Sequence, residues 1–225
     1  MSMQAVAVRE AFVSEGRSRI PAPTVAVGLF GLMGAALSFA RNEEIYGEGE
    51  PAEYVYIVQS GCVRSSKILS DGRRQIGAFY LPGDVFGLEA GEEHSLSAEA
   101  LAATTVRIVK RTAVTSRAAC DSEMASHLLT LTIAELQRAQ SRVILLIKSA
   151  QERVAGFLLE MASRNHSASE IELPMCRQDI ADYLGLTIET VSRTLTQLEN
   201  AAAIALPTSR HIVLRNRAAL ARMNA

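Results

Sequence analysis

No glycine or proline occurs between Thr112 and Ala155. Within that run Leu129, Ile133, Leu136, Val143, Ile147 and Ala150 recur at spacings of three, four or seven, a near-heptad seam. The pattern predicts one helix from about Asp121 to Lys148, roughly 28 residues and ~42 Å long at 1.5 Å per residue. Leu128, Leu131, Ile144 and Leu146 lie off the seam and widen the apolar surface. A helix with two apolar faces needs two partners. One is a neighbouring β-domain. The other is the same helix of a second copy, because a chain of this size offers little else to cover ~40 Å of seam. The alternative is a helix buried in the core of a monomer.

Upstream, the texture is that of short β-prone runs cut by turn residues. Strands are predicted at Glu53–Val58, Cys62–Leu69, Gln75–Tyr80 and Val106–Val109. Ser70-Asp71-Gly72 is a hairpin turn, since Asp-Gly tolerates the positive φ such a turn needs. This spacing predicts a small antiparallel barrel or roll. Before it, residues 1–40 form an extension broken by Pro21 and Pro23, with a short helix expected near Val27 to Phe39. Downstream of the long helix, Val154, Phe157, Leu158 and Met161 mark a shorter amphipathic helix, and residues 165–169 read as a polar loop.

The segment Cys176 to Leu198 reads as helix, tight turn, helix. Ile180, Ala181 and Leu184 form the inner face of the first helix, and Ala181 is small where two helices cross closely. Gly185 ends that helix in the left-handed conformation. Thr187 caps the second, whose Ile188, Val191, Leu195 and Leu198 point inward. Glu189, Ser192, Arg193 and Thr196 are left on the outer face at i, i+3, i+4 and i+7. Arg can bond guanine O6 and N7 together, Glu can accept from cytosine N4, and Ser or Thr can bond either. Helix-turn-helix proteins make their base contacts from this part of the second helix. A hairpin follows, with Ala203–Leu206 and His211–Leu214 flanking Pro207-Thr-Ser-Arg210, and makes the unit a winged one. From Ala201 to the end there are four arginines, Arg210, Arg215, Arg217 and Arg222, and no acid, an excess suited to phosphate.

Composition excludes several classes. The net charge is −1, from 23 basic and 24 acidic residues, so a histone-like binder is excluded although a local basic surface is not. No apolar run approaches the ~20 residues that span a bilayer, and the N-terminus lacks the pattern of a signal peptide. Cys62, Cys120 and Cys176 are odd in number and far apart, which argues against disulfides and CxxC pairs and for a reducing cytoplasm. The four histidines are scattered, and no nucleophile–base pattern, metal spacing or phosphate loop marks an enzyme. No cofactor or metal is expected.

The order of parts resembles the CRP/FNR family of bacterial transcription regulators. The resemblance runs from about Glu43 to the C-terminus. It is most specific at Ala150-Gln-Glu-Arg-Val-Ala-Gly-Phe-Leu-Leu and Glu189-Thr-Val-Ser-Arg193. The second run is similar to the FNR branch, and the whole to its FixK-type members. The implied fold is α+β: a β-roll like a cyclic-nucleotide-binding domain at 41–117, a dimerisation helix at 118–149 and a winged helix-turn-helix at 150–225. The implied function is that of a homodimeric activator reading a two-fold site of TTGAT type in double-stranded DNA, with RNA polymerase as a further partner. Glu189, Ser192 and Arg193 would read bases. Cys176, Arg177, Gln178, Thr187, Thr190 and Arg210 would line the DNA backbone. The dimer interface would be Leu129, Ile133, Leu136, Val143 and Ile147.

Two departures bear on regulation. Residues 1–61 hold no cysteine, so the N-terminal iron–sulfur cluster of oxygen-sensing FNR proteins cannot form. No arginine lies between Arg74 and Arg107, and His94 or Ser95 falls where cyclic-nucleotide binders carry the phosphate-binding Arg after Phe86-Gly87-Leu88-Glu89. The expectation is a roll without a nucleotide. The alternative is a regulator whose roll binds an unidentified small effector. His94 is read as an exposed loop residue. Cys176, at a helix N-terminus beside Arg177, either replaces a hydroxyl residue or forms a thiolate whose oxidation would hinder DNA binding.

Overall fold

The computed structural model describes residues 34–145, 147–164 and 169–224. The N-terminal part holds eight strands: β1 (Ala35–Phe39), β2 (Glu44–Tyr46), β3 (Tyr54–Ser60), β4 (Val63–Ile68), β5 (Arg74–Tyr80), β6 (Val85–Phe86), β7 (Ser97–Ala100) and β8 (Thr104–Lys110). They form two four-stranded antiparallel sheets, ordered β1-β8-β3-β6 and β2-β7-β4-β5. Helix α1 (Arg111–Cys120), α2 (Ser122–Leu145) and α3 (Ala150–Arg164) follow. The C-terminal part comprises β9 (Glu170–Glu172), α4 (Arg177–Leu184), α5 (Ile188–Asn200), β10 (Ile204–Ala205), β11 (His211–Leu214) and α6 (Arg217–Met223).

Strand β3 shows why the roll holds together. Side chains alternate along a strand. Tyr56 and Val58 point into the roll with Tyr46, Val63, Phe86 and Val106. Val55 and Ile57 point the other way, onto Val114 of α1 and Met124 of α2, with Leu128 and Leu131 packed alongside. A near-continuous apolar run is therefore a strand buried on both faces. The hairpin between β4 and β5 turns at Gly72, whose φ is 82°. Further along, the register of β4 on β5 shifts between Ser65 and Ser66, leaving Gly77 as the extra residue. That bulge lets Ile76 and Phe79, three apart, face one side. There they join Cys62 and Leu101 in one apolar core with Phe157, Leu158, Ile180, Tyr183 and Leu195 of the C-terminal part. Phe79 lies 5.2 Å from the Tyr183 ring and 6.3 Å from that of Phe157.

Four expectations about the roll and the long helix need correction. First, residues 35–39 are a strand, not helix; β1 pairs with β8 from Ala35↔Ile108 to Phe39↔Thr104. The free edge of β8 decided this, while the rest of the expected helix and the 165–168 stretch lie outside the described residues. Second, the long helix is shorter and does not start the helical region. α1 precedes it, and Asp121 breaks the chain by accepting from the Glu123 and Met124 amides at 3.0 and 3.2 Å. Third, α2 ends at Leu145, so Ile147 sits in a turn and Ala150 opens a new helix. The Ser149 amide donates to Glu152 at 2.7 Å and the Glu152 amide to Ser149 at 3.4 Å, a capping box legible as Ser-x-x-Glu. Fourth, His94 is buried, at 2% exposure, with its ring stacked 3.6 Å from that of Tyr46.

Candidate nucleic-acid interface

Helix α4 ends at Gly185, with φ 63° and ψ 41°, the left-handed conformation that turns the chain into α5. The Leu186 amide reaches back to the Ala181 carbonyl at 3.0 Å. Ala181 is fully buried, as a close helix crossing requires. Thr187 caps α5: its Oγ1 accepts from the Thr190 amide at 3.2 Å. Val191, Leu195 and Leu198 are buried beneath α5. Ile188 is a correction. It is exposed on the first turn of α5, and Thr194 is buried in the face that was expected to be wholly apolar.

The outer face of α5 presents Glu189, Arg193 and Thr196 as exposed side chains, with Ser192 half-buried between them. The Glu189 carboxyl is held below its ordinary range by hydrogen bonds from its own backbone amide and from Thr187. It is therefore an ionised acceptor at a helix N-terminus, where negative charge is favoured. Arg177 Nη1 donates to Ser192 Oγ at 3.3 Å, tying α4 to the outer face of α5. Gln178 is exposed and donates to Asp182 Oδ1 at 2.7 Å. Thr190 is half-buried, its Oγ1 3.1 Å from that of Thr187. Arg210 stands at the tip of the β10–β11 hairpin, where Thr208 Oγ1 accepts from the Arg210 and His211 amides at 3.3 and 3.0 Å. β9 completes this wing as a third strand, ordered β10-β11-β9, which the sequence reading missed.

Cys176 is half-buried at the N-terminus of α4. Its amide and its Sγ both lie 3.1 Å from Asp179 Oδ2 as donors. Arg177, turned toward Ser192, does not supply the neighbour that the sequence suggested; the group facing the sulfur is a carboxylate. Asp179 itself was missed. The Cys-x-x-Asp spacing, with an acid three residues after the cap, is the signal that could have found it.

The seam of α2 is open. Leu129, Ile133, Leu136 and Val143 are between 46% and 65% exposed, in a helix whose opposite face packs on the roll. Ile147, in the turn beyond it, is 86% exposed. Inside the roll, Tyr46, Tyr56, Tyr80, Phe86 and His94 stack on one another, with Phe86 5.0 Å from both Tyr56 and Tyr80. Burial pushes the Tyr56 and Tyr80 hydroxyls up to about 12, so both are neutral. Glu89 accepts from the Ser95 amide and hydroxyl at 3.3 and 3.1 Å. Among the described residues no cluster of three or more His, Cys, Asp or Glu could hold a metal ion, and no helix is long and apolar enough to cross a membrane.

Two helices joined by a glycine-ended turn, a polar outer face on the second and a three-stranded wing define a winged helix-turn-helix protein, a class that binds double-stranded DNA. Comparison with known proteins agrees. Residues 152–223 match the Crp-like helix-turn-helix domain family, and residues 36–121 match the cyclic nucleotide-binding domain family. The chain is 50% identical over 218 residues to the nitrogen fixation regulation protein FixK of Azorhizobium caulinodans, covering 94% of this chain and 86% of that protein. It is 43% identical over 176 residues to the protein of the same description from Rhizobium meliloti, covering 78% of this chain and 80% of that one. The solved structure of FixK2 from Bradyrhizobium japonicum superposes with a TM-score of 0.83 at 54% identity, covering 86% of this chain and 98% of that one. The chain belongs to the CRP/FNR family of transcription regulators, in its FixK-type branch. It is a DNA-binding regulator and not an enzyme.

Proposed function

We propose that the protein is a homodimeric activator that reads a two-fold symmetric site of TTGAT type and needs no small-molecule effector. The observation that carries this is the outer face of α5, where Glu189, Ser192 and Arg193 stand together free of the core. Arg193 would bond guanine and Glu189 cytosine. Cys176, Arg177, Gln178, Thr187, Thr190 and Arg210 would flank the phosphates. Dimerisation through Leu129, Ile133, Leu136 and Val143 would cover the open seam of α2, with Ile147 at its end. A symmetric dimer would then set two copies of α5 about one DNA turn apart, roughly 34–36 Å. RNA polymerase would be contacted by the bound dimer in the cytoplasm.

Effector independence is supported by the filled roll and by Glu89, whose charge would oppose a phosphate. Oxidation of Cys176 would act as a brake, since sulfinic or sulfonic acid adds charge and bulk beside a DNA phosphate. The test is selection of bound sequences from random duplex DNA, using protein without added ligand. Enrichment of a palindrome containing TTGA on each strand is the expected result. Enrichment only after a small molecule is added would favour a ligand-responsive regulator instead.

A further inference from the structure

The link from α2 to α3 runs only from Leu145 to Ala150. Such a link leaves the DNA-binding unit free to pivot on the dimer helix unless something else holds it. The apolar contact of Ile76 and Phe79 with Phe157 and Tyr183 holds the two parts together. Apolar contact is non-directional and resists sliding poorly. Hydrogen-bonded charge pairs have angular requirements and resist it well.

One such tie runs from Arg164 of α3 to Asp84 and, at 2.9 Å, to the Phe79 carbonyl, and Arg142 of α2 lies 5.0 Å over the Tyr183 ring; a larger cluster lies between β4–β5 and α4. Arg64 donates to Asp179 Oδ1 at 2.6 Å and to Glu99 of β7 at 2.7 Å. Arg74 donates to the same Asp179 oxygen at 2.7 Å and, through Nε, to Asp182 at 2.8 Å. Gln75 Nε2 adds a bond to the Asp182 carbonyl at 2.8 Å. Both acids lie on the first helix of the helix-turn-helix, one turn apart on a face turned toward the roll. None of these groups is on the outer face of α5. The cluster therefore orients the DNA-binding unit without reading bases.

We infer that Arg64, Arg74, Asp179 and Asp182 are positioning residues that set which half-site spacing the dimer accepts. The inference rests on the two-fold reading proposed above. Moving one half-site by a base pair shifts it by about 3.4 Å and turns it by roughly 35° about the DNA axis. A unit locked to the roll cannot follow that movement. A unit whose α4 has lost part of this cluster, with Arg164 on Asp84 as the remaining tie from α3, can pivot further toward it.

The experiment titrates the full-length protein against duplexes carrying two half-sites at the selected spacing, at one base pair more and at one fewer, and against a single half-site. Arg74→Gln and Asp182→Asn are compared with the parent, and Arg74→Lys serves as the conservative variant that keeps charge without the two-pronged geometry. The ratio of affinities between spacings does not depend on the folded fraction, so partial unfolding cannot imitate the effect. In the Gln and Asn variants the penalty for a wrong spacing should shrink by roughly three- to tenfold. Base discrimination at the guanine should stay as in the parent, and Arg74→Lys should fall between. An unchanged spacing ratio, with or without a uniform loss of affinity, would show that the cluster only stabilises the fold. A parent that binds one half-site as tightly as two would overturn the two-fold reading and this inference together.

Discussion

The Arg64 guanidinium and the Asp179 carboxylate, 115 positions apart in sequence, meet at 2.6 Å. Asp179 is only 3% exposed. Removing Asp179 leaves Arg64 with Glu99 alone and Arg74 with Asp182 alone, and takes away one charged hydrogen bond from each. Asp179→Ala should therefore destabilise the fold by about 1.5–3 kcal/mol. Urea unfolding followed by circular dichroism measures this. A loss below about 1 kcal/mol would be the value of a surface pair and would contradict the buried assignment.

Arg193 is exposed on α5 and is the residue best suited to a guanine there. Arg193→Ala should cost ~1–3 kcal/mol and relax preference at that base pair. Titration against duplexes varied at the guanine provides the check. Full discrimination retained by the variant would remove Arg193 from the readout.

Leu136 lies mid-helix on the open seam of α2. Leu136→Asp would place a charge at the centre of the proposed interface and should weaken association at least about tenfold. Ile147 is a poorer site for this test, since it stands beyond the helix end. Sedimentation equilibrium reads the dissociation constant. An unchanged dimer would place the interface elsewhere.

His94 links pH to stability. Burial holds its pKa below the ordinary value, although Glu89 works in the opposite direction. As pH falls through about 6.5, the unfolded chain binds a proton that the native state resists, so stability declines on the acid side. His94→Phe should flatten the decline between about pH 7 and 5, measured as the urea midpoint at each pH. A slope equal to the parent's would assign the acid loss to other groups.

The three cysteines should respond differently to peroxide. Burial pushes the Cys62 thiol up to about 12, so it stays protonated and inert. Cys120 is exposed but lies at the end of α1, away from α5. Loss of DNA binding on oxidation should therefore depend on Cys176, and Cys176→Ser should resist it in a gel-shift titration. Equal loss in parent and variant would place the damage elsewhere.

The parts read most directly from sequence are those governed by neighbours along the chain. Gly185 between two amphipathic helices, the Asp71-Gly72 turn and the Val154–Met161 stripe each carry their own geometry. The base-reading candidates followed from the same logic, because residues that do not serve the inner face of α5 must lie outside. Where the reading failed, local signals were weak or overridden. Residues 35–39 carry no strong periodicity, and β8 captured them as an edge strand. Ser149 and Glu152 did announce a helix start, but the absence of glycine and proline masked the break.

Periodicity, turn residues and caps act over a few positions, so they are written in the order of the amino acids. They determined the roll, the helices and the helix-turn-helix unit. The burial of His94, the two faces of β3 and the docking of α4 on the roll were decided only in three dimensions. Each depends on a partner from another element: Tyr46 for His94, Met124 and Val106 for β3, Arg64 and Arg74 for Asp179. A charged side chain carries no mark of the opposite charge it will meet across the fold. Asp179 reads as an ordinary helix-surface acid until the packing of Phe79 on Tyr183 brings two arginines onto it and closes Asp179 and Arg64 off from water.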